Sequence, residues 1–186
     1  MSKSNQIRIN AGQWRTRVLK FADATGLRPT PDRVRQTVFN WLGQELYGLT
    51  CLDLFAGTGV MGFEALSRGA KQAVIIEKSS IATQSLNQNK SLLKADAAQI
   101  IQTDALLFLA KNQQKFDIIF CDPPYQQQWL DKLLPQLPQH LSADGFLYVE
   151  AEYALLQADG FDIIKQGKAG SVFYHLLKAA QAPSAV

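Results

Sequence analysis

The chain is poor in the residues that build metal centres and covalent cross-links: two cysteines and two histidines in 186 residues. Cys51 and Cys121 stand 70 positions apart, each inside an apolar strand-like run, so the reading is two reduced, buried thiols rather than a disulfide or a zinc site. His140 and His175 have no Cys, Asp or Glu at ligand spacing, which leaves both structural and the expected metal content none. Long apolar runs are also missing. Nothing approaches the roughly 18–20 residues that cross a bilayer, and the polar start from Met1 to Gln6 has no signal-peptide core. A cytoplasmic protein with no membrane partner is expected, with a monomer as the default state. No internal repeat or low-complexity segment interrupts the chain, and a hydrophobic fraction of 47% excludes disorder as its default. The length suits one well-buried domain.

Charge is plentiful but uneven. Residues 1–40 hold eight basic side chains (Lys3, Arg8, Arg15, Arg17, Lys20, Arg28, Arg33 and Arg35) against Asp23 and Asp32, a net of +6. The whole chain carries +3, so the remainder carries −3. A basic amino-terminal arm on a mildly acidic body points to a polyanionic partner. Arginine dominates the arm, and its planar fork suits phosphates and base edges.

Asp122-Pro123-Pro124-Tyr125, directly after the apolar run 116–121, carries the most chemistry. It sets a carboxylate, a rigid backbone with no N–H to donate, and an aromatic face at the end of a buried strand. That set suits a flat ring whose exocyclic amine must be held. The plain alternative is a strand broken by Pro-Pro and an Asp capping the next helix.

Two alternating runs, 6–10 and 15–21, flank Ala11-Gly12-Gln13-Trp14 and read as a β-hairpin ended by Gly26 and Pro29. Thr30-Pro31-Asp32 reads as a helix start, with Thr30 as N-cap and Pro31 in the first turn. Val34, Val38, Trp41 and Leu42 then mark its inward face. Beyond residue 50 the rhythm is strand, loop, helix. Strands are predicted near 50–55, 73–77, 99–102, 117–121 and 145–150, and helices near 60–68, 79–94, 105–111 and 127–140. A closing pair, 161–165 and 172–178, forms a hairpin through Gly167 and Gly170. The fold class expected is α/β: a mostly parallel sheet with helices on both faces and an antiparallel edge hairpin. Residues 1–47 read as a basic extension, 48–180 as the main domain, and 181–186 as a frayed tail.

Gly57, Gly59 and Gly62 satisfy G-x-G-x-x-G between a strand and a helix, a pattern that dinucleotide enzymes share. Glu77, 20 residues after Gly57, has the spacing of an acid that takes both ribose hydroxyls. Asp104, after the next strand, suits an adenine amine. Up to this point NAD and S-adenosylmethionine fit equally. Asp53 tips the choice: a carboxylate before the glycine loop would repel a pyrophosphate and attract the ammonium of a methionine moiety. The competing reading gives Asp53 only loop N–H groups to bind.

With both motifs in view, the chain resembles the class I S-adenosylmethionine-dependent methyltransferases, and within them the RsmD-type family, which methylates the N2 amine of a guanine in bacterial 16S ribosomal RNA. The likeness covers nearly the whole chain. It includes Ile7-Arg8-Ile9, Gly12-Gln13-Trp14-Arg15, Gly26-Leu27-Arg28-Pro29-Thr30, Asp32-Arg33-Val34-Arg35, Phe39-Asn40-Trp41-Leu42 and 64–70; Val60-Met61 departs from the usual Ala-Leu. The resemblance implies a Rossmann-like, seven-stranded fold. It implies that Asp53, Phe55, Ala56, Gly57, Thr58, Gly59, Glu77, Lys78, Asp104, Ala105 and Asp122 line the S-adenosylmethionine site, with S-adenosylhomocysteine as product. Asp122, Pro123, Pro124 and Tyr125 would hold the target base. Arg8, Arg15, Arg17, Arg28, Arg33 and Arg35 would meet 16S rRNA within an assembling small subunit. N6-adenine methylation of DNA or RNA, and a non-catalytic RNA-binding assembly role, remain as alternatives.

Overall fold

The structure, a computed structural model, describes residues 5–21, 30–125 and 128–180. Arg28, the Gly26 and Pro29 breakers, the expected start of a helix at Gln127 and the tail 181–186 lie outside the described residues.

Among the described residues, nine strands and five α-helices follow in chain order: β1 (Gln6–Arg8), β2 (Val18–Lys20), α1 (Asp32–Leu42), β3 (Thr50–Asp53), α2 (Val60–Ser67), β4 (Gln72–Glu77), α3 (Ser80–Leu93), β5 (Ala98–Gln102), α4 (Ala105–Lys111), β6 (Phe116–Cys121), α5 (Trp129–Leu133), β7 (Leu141–Ala151), β8 (Phe161–Ala169) and β9 (Val172–Ala179). Strands β3 to β9 form one sheet in the order β5-β4-β3-β6-β7-β9-β8, and β1 and β2 pair antiparallel by themselves. The first five strands of that order are mutually parallel, whereas β9 runs antiparallel to both β7 and β8. The expected α/β architecture with its antiparallel edge is the one observed.

Strand alternation splits the apolar side chains into two cores. Cys51, Ala73, Ile75, Ile118 and Phe120 pack with residues from the hairpin, α1, α2 and α3. Leu52, Val74, Ile76, Ile119 and Cys121 pack with those from α4 and α5. Both cysteines are buried free thiols, and burial pushes each thiol far above its ordinary value, so neither is a ready nucleophile.

Two expected elements differ. The helix expected over 127–140 is a short α5 and a separate 3₁₀ turn, Leu137–His140. Pro135 and Pro138 explain the break, since neither offers the N–H a continuous helix needs. Thr30 does not cap α1: the N-cap is Pro31, without a side-chain cap bond, and the Thr30 hydroxyl donates to Glu150 Oε1 at 3.0 Å.

The amino-terminal hairpin is tied to α2 by a buried ion cluster. The Glu64 carboxylate accepts from the backbone N–H of Asn10 (2.8 Å) and Ala11 (3.0 Å), from Arg35 Nη1 (3.2 Å) and from Arg68 Nε (3.0 Å). Gly12 completes the seam at φ +79°, where a Cβ would come within 1.7 Å of the Ser67 carbonyl oxygen. Only glycine fits there.

Candidate active site

The chain runs β3, β4, β5 to one side and then returns to β6 and β7 on the other, so the strand order reverses between β3 and β6. Ligands of open parallel sheets bind at the carboxyl ends beside such a reversal. Asp53 ends β3 and Asp122 follows β6, and the register Asp53↔Phe120 sets them on neighbouring strands at that point. Glu77 ends β4, and Asp104 follows β5. The sheet therefore gathers into one crevice four acids that are far apart in sequence.

The glycine loop closes on these acids. Asp53 Oδ2 accepts from the Gly62 N–H at 3.0 Å; Glu77 accepts from the Gly57 N–H at 2.8 Å and the Ser79 N–H at 2.7 Å. Gly59, at φ +74°, lies so near α3 that a Cβ would meet Leu86 at 2.3 Å. Two of the loop N–H groups that would cradle a pyrophosphate thus already serve carboxylates. Asp53 does bind a loop N–H, as its competing reading held, and it is buried at the carboxyl end of β3. The donor set fits a ligand rich in N–H and O–H groups and disfavours a phosphate. Asp104 caps α4, accepting from the Leu106 N–H at 3.0 Å, and pairs with the exposed Lys78 at 3.1 Å. Burial pushes the Asp104 carboxyl up, but the bonds from Lys78 and Leu106 outweigh it and hold it below the usual range. Phe55 and Trp129 meet edge to face, with ring centroids 5.3 Å apart, and pack against the core that holds Ala105, while Ala56 and Thr58 are also buried.

On the other side, Pro123, Pro124, Tyr125, Trp129, Glu150 and Tyr153 line a cleft. Burial, then the neighbouring carboxylates Glu150 and Asp53, push the Asp122 carboxyl well above its ordinary value. Asp53 is pushed up to about 7, by burial first and by Glu77 in addition, against the Gly62 bond. Glu150 is raised by burial despite its bonds from Tyr148 and Thr30. Sequence reasoning missed Glu150. A wider groove at β8, lined by Leu155, Leu156, Ile163, Ile164, Lys165 and Gln166, contains no carboxylate.

The arginines divide. Arg8, Arg15, Arg17 and Arg33 are exposed. Arg8 Nη1 donates to the Thr16 carbonyl at 3.3 Å, and Arg17 Nη2 to the Leu92 carbonyl at 3.2 Å, which fixes their stems and leaves charge toward solvent. Arg35, grouped by sequence with the substrate arginines, is instead fully buried, bonded to Glu64, Asp32 and the Arg8 carbonyl. It holds the hairpin in place and has no face left for a polyanion. Among the described residues there is no group of three or more His, Cys, Asp and Glu side chains able to hold a metal, and no helix is long and apolar enough to cross a membrane.

A doubly wound sheet, a glycine loop engaged by acids, and a D-P-P-Y turn at the strand-order reversal define a Rossmann-like class I methyltransferase. Comparison with known proteins narrows the class. Residues 7–178 match the family described as Conserved hypothetical protein 95. The chain is 44% identical over 153 residues to the ribosomal RNA small subunit methyltransferase D of Escherichia coli (strain K12), covering 81% of this chain and 77% of that protein. Identity to its Haemophilus influenzae namesake is 37% over 179 residues, covering 92% and 93%. A solved Escherichia coli structure, yhhF, assigned to the methyltransferases, superposes with a TM-score of 0.84 at 39% identity, covering 94% of this chain and 98% of that one. The chain belongs to this methyltransferase family.

Proposed function

We propose that the protein transfers a methyl group from S-adenosylmethionine to the exocyclic N2 amine of a guanine in 16S ribosomal RNA, acting as a monomer on an assembling small subunit. The observation that carries this reading is the carboxylate set around the glycine loop, joined to Asp122-Pro123-Pro124-Tyr125 on the neighbouring strand. Relatives named ribosomal RNA small subunit methyltransferase D support the RNA substrate.

Asp53 would hold the ammonium group of the cofactor, Glu77 its ribose hydroxyls and Asp104 its adenine amine, with Phe55 and Ala105 packing on the ring. S-adenosylmethionine, when bound, supplies an electrophilic methyl group and leaves as S-adenosylhomocysteine. The residues do the rest. A guanine amine is a weak nucleophile because its lone pair is spread into the ring. Asp122 and the Pro123 carbonyl each accept one amine hydrogen, which orients the lone pair toward the methyl group. Tyr125 stacks on the purine, a contact of about 1–3 kcal/mol. Asp122, whose proton affinity is raised by burial and by its acidic neighbours, then receives the proton that the methylated nitrogen sheds. Positioning and fixed charge lower the barrier without a covalent enzyme intermediate. The base must leave its stack, which costs least in a loop or an incompletely folded RNA. Exposed Arg8, Arg15, Arg17 and Arg33 would meet the phosphates, a contact that weakens with salt.

The test is a methyl-transfer assay on protein-free 16S rRNA and on a partly assembled small subunit, both lacking the modification, followed by nucleoside mass spectrometry. N2-methylguanosine is the expected product, and formation is faster on the subunit. N6-methyladenine, or no methylated nucleoside, would refute the reading.

A further inference from the structure

Glu150 has no part in the mechanism above, yet it is the carboxylate nearest in register to Asp122. Strands β6 and β7 are parallel and their register ends at Cys121 opposite Val149, so Asp122 and Glu150 each follow that last pair, close enough for the Glu150 charge to push the Asp122 carboxyl up. Glu150 is only 3% exposed and lines the same cleft as Pro123, Pro124 and Tyr125. Its two oxygens are used unequally. Oε1 accepts from the Thr30 hydroxyl at 3.0 Å and from the Tyr148 hydroxyl at 2.8 Å. Oε2 takes no hydrogen bond from the described residues.

A carboxylate that lines a base cleft, with one oxygen outside the bonds of the described residues, suits a donor from the base. Guanine offers two donors side by side on one edge, the 2-amine and the ring N1–H. Adenine and 2-aminopurine present an acceptor at N1, which a carboxylate repels. Two acceptors on adjacent strands match the first edge and clash with the second. We propose that Glu150 is the specificity-determining residue of this site, accepting the guanine N1–H while Asp122 holds the adjacent amine. The inference rests on the guanine-N2 reading and deepens it.

The Thr30 and Tyr148 hydroxyls make the role separable from simple packing. In Glu150→Gln both would hold the amide carbonyl in the Oε1 position, leaving the amide NH2 toward the cleft. A donor would then face the guanine N1–H, and the same donor would suit the N1 acceptor of 2-aminopurine, which keeps the 2-amine. The experiment uses 16S rRNA joined by splinted ligation, with guanosine or 2-aminopurine riboside at the nucleotide the wild-type protein methylates, assembled into the partial subunit. Wild-type protein should prefer guanine. E150Q should lower the guanine-to-2-aminopurine rate ratio by about 30-fold or more, the scale of a buried polar group left unpaired, with S-adenosylmethionine affinity by calorimetry unchanged. An unchanged ratio, or an equal loss on both bases, would overturn the proposal. If E150Q does not bind the cofactor, Glu150→Asp is read the same way: it keeps an acceptor but withdraws it by one methylene, so a guanine-selective loss supports the role and an equal loss overturns it. Wild-type protein inert on guanine but active on another base would overturn the parent reading, and this role with it, on the wild-type measurement alone.

Discussion

Two regions of the molecule bury carboxylates and treat them in opposite ways. At the hairpin seam Glu64 is fully buried, and both of its oxygens are covered by Arg35, Arg68 and two backbone N–H groups. In the crevice Asp53, Asp122 and Glu150 are drawn together with no cation among their hydrogen-bond partners in the described residues, and each is pushed toward its protonated form. The seam is complete in the protein alone and serves stability. In the crevice the described residues leave the acids without such compensation, so their burial costs stability. Buried charge as such says little about function; the presence or absence of a partner within the chain is the informative part.

Asp122→Ala should break the crevice side most sharply. Turnover is expected to fall by about a thousandfold or more, near 4 kcal/mol of transition-state stabilisation, while cofactor affinity stays within a few-fold. Single-turnover rates and calorimetry on one preparation check both halves, and near-normal turnover would remove Asp122 from the chemistry. Next in size, Glu64→Ala strands two buried guanidinium groups and should cost about 3–5 kcal/mol of stability. Denaturant unfolding measures it, and a loss under about 1 kcal/mol would mean that the seam relaxes or admits water. The smallest effect is also the sharpest contrast. Asp53→Asn should weaken cofactor binding about tenfold yet leave the fold equally or more stable at neutral pH, because a buried charge is gone.

The pH dependence of Asp53 follows with a definite sign. Its folded value, about 7, lies above the ordinary 3.8, so the folded state holds a proton that the unfolded chain has released. The stability this group contributes is present below about pH 4 and is withdrawn as pH rises toward about 7. Cofactor binding runs the other way, since an ammonium favours the ionised carboxylate. Affinity in the wild type should rise between about pH 6 and about pH 8 with proton release, seen as a dependence of binding heat on buffer ionisation. In Asp53→Asn that part of the profile should be flat.

Much of this was legible in the sequence, and the rest was hidden for identifiable reasons. Alternating strands, the glycine loop, Glu77 at its spacing and Asp122 before Pro-Pro are local patterns, and the sheet assembles them as expected. Arg35 was misread because the local pattern shows only Asp32 three residues away; its partner Glu64 is 29 residues along and meets it through packing. Glu150 was missed because a single acid in Phe146-Leu147-Tyr148-Val149-Glu150 reads like a solvent-facing position of an alternating strand. Only the β6–β7 register shows that it faces the crevice beside Asp122. The break in the helix expected over 127–140 is itself local in origin, since Pro135 and Pro138 each remove an N–H from it.

Helix α2 spans only Val60–Ser67. Its first turn is gripped by Asp53 through Gly62, and its last turn seats Gly12 and the arginine-bearing hairpin through Ser67. Eight residues at about 1.5 Å each make a rigid spacer of about 12 Å. The hairpin is therefore held from the glycine loop at one distance and one angle. Adding a single residue to α2 would turn its two ends by about 100° relative to each other, so that each could keep its own contacts and still be aimed past the other. The length of one short helix thus acts as a gauge between the arginine-bearing hairpin and the glycine loop.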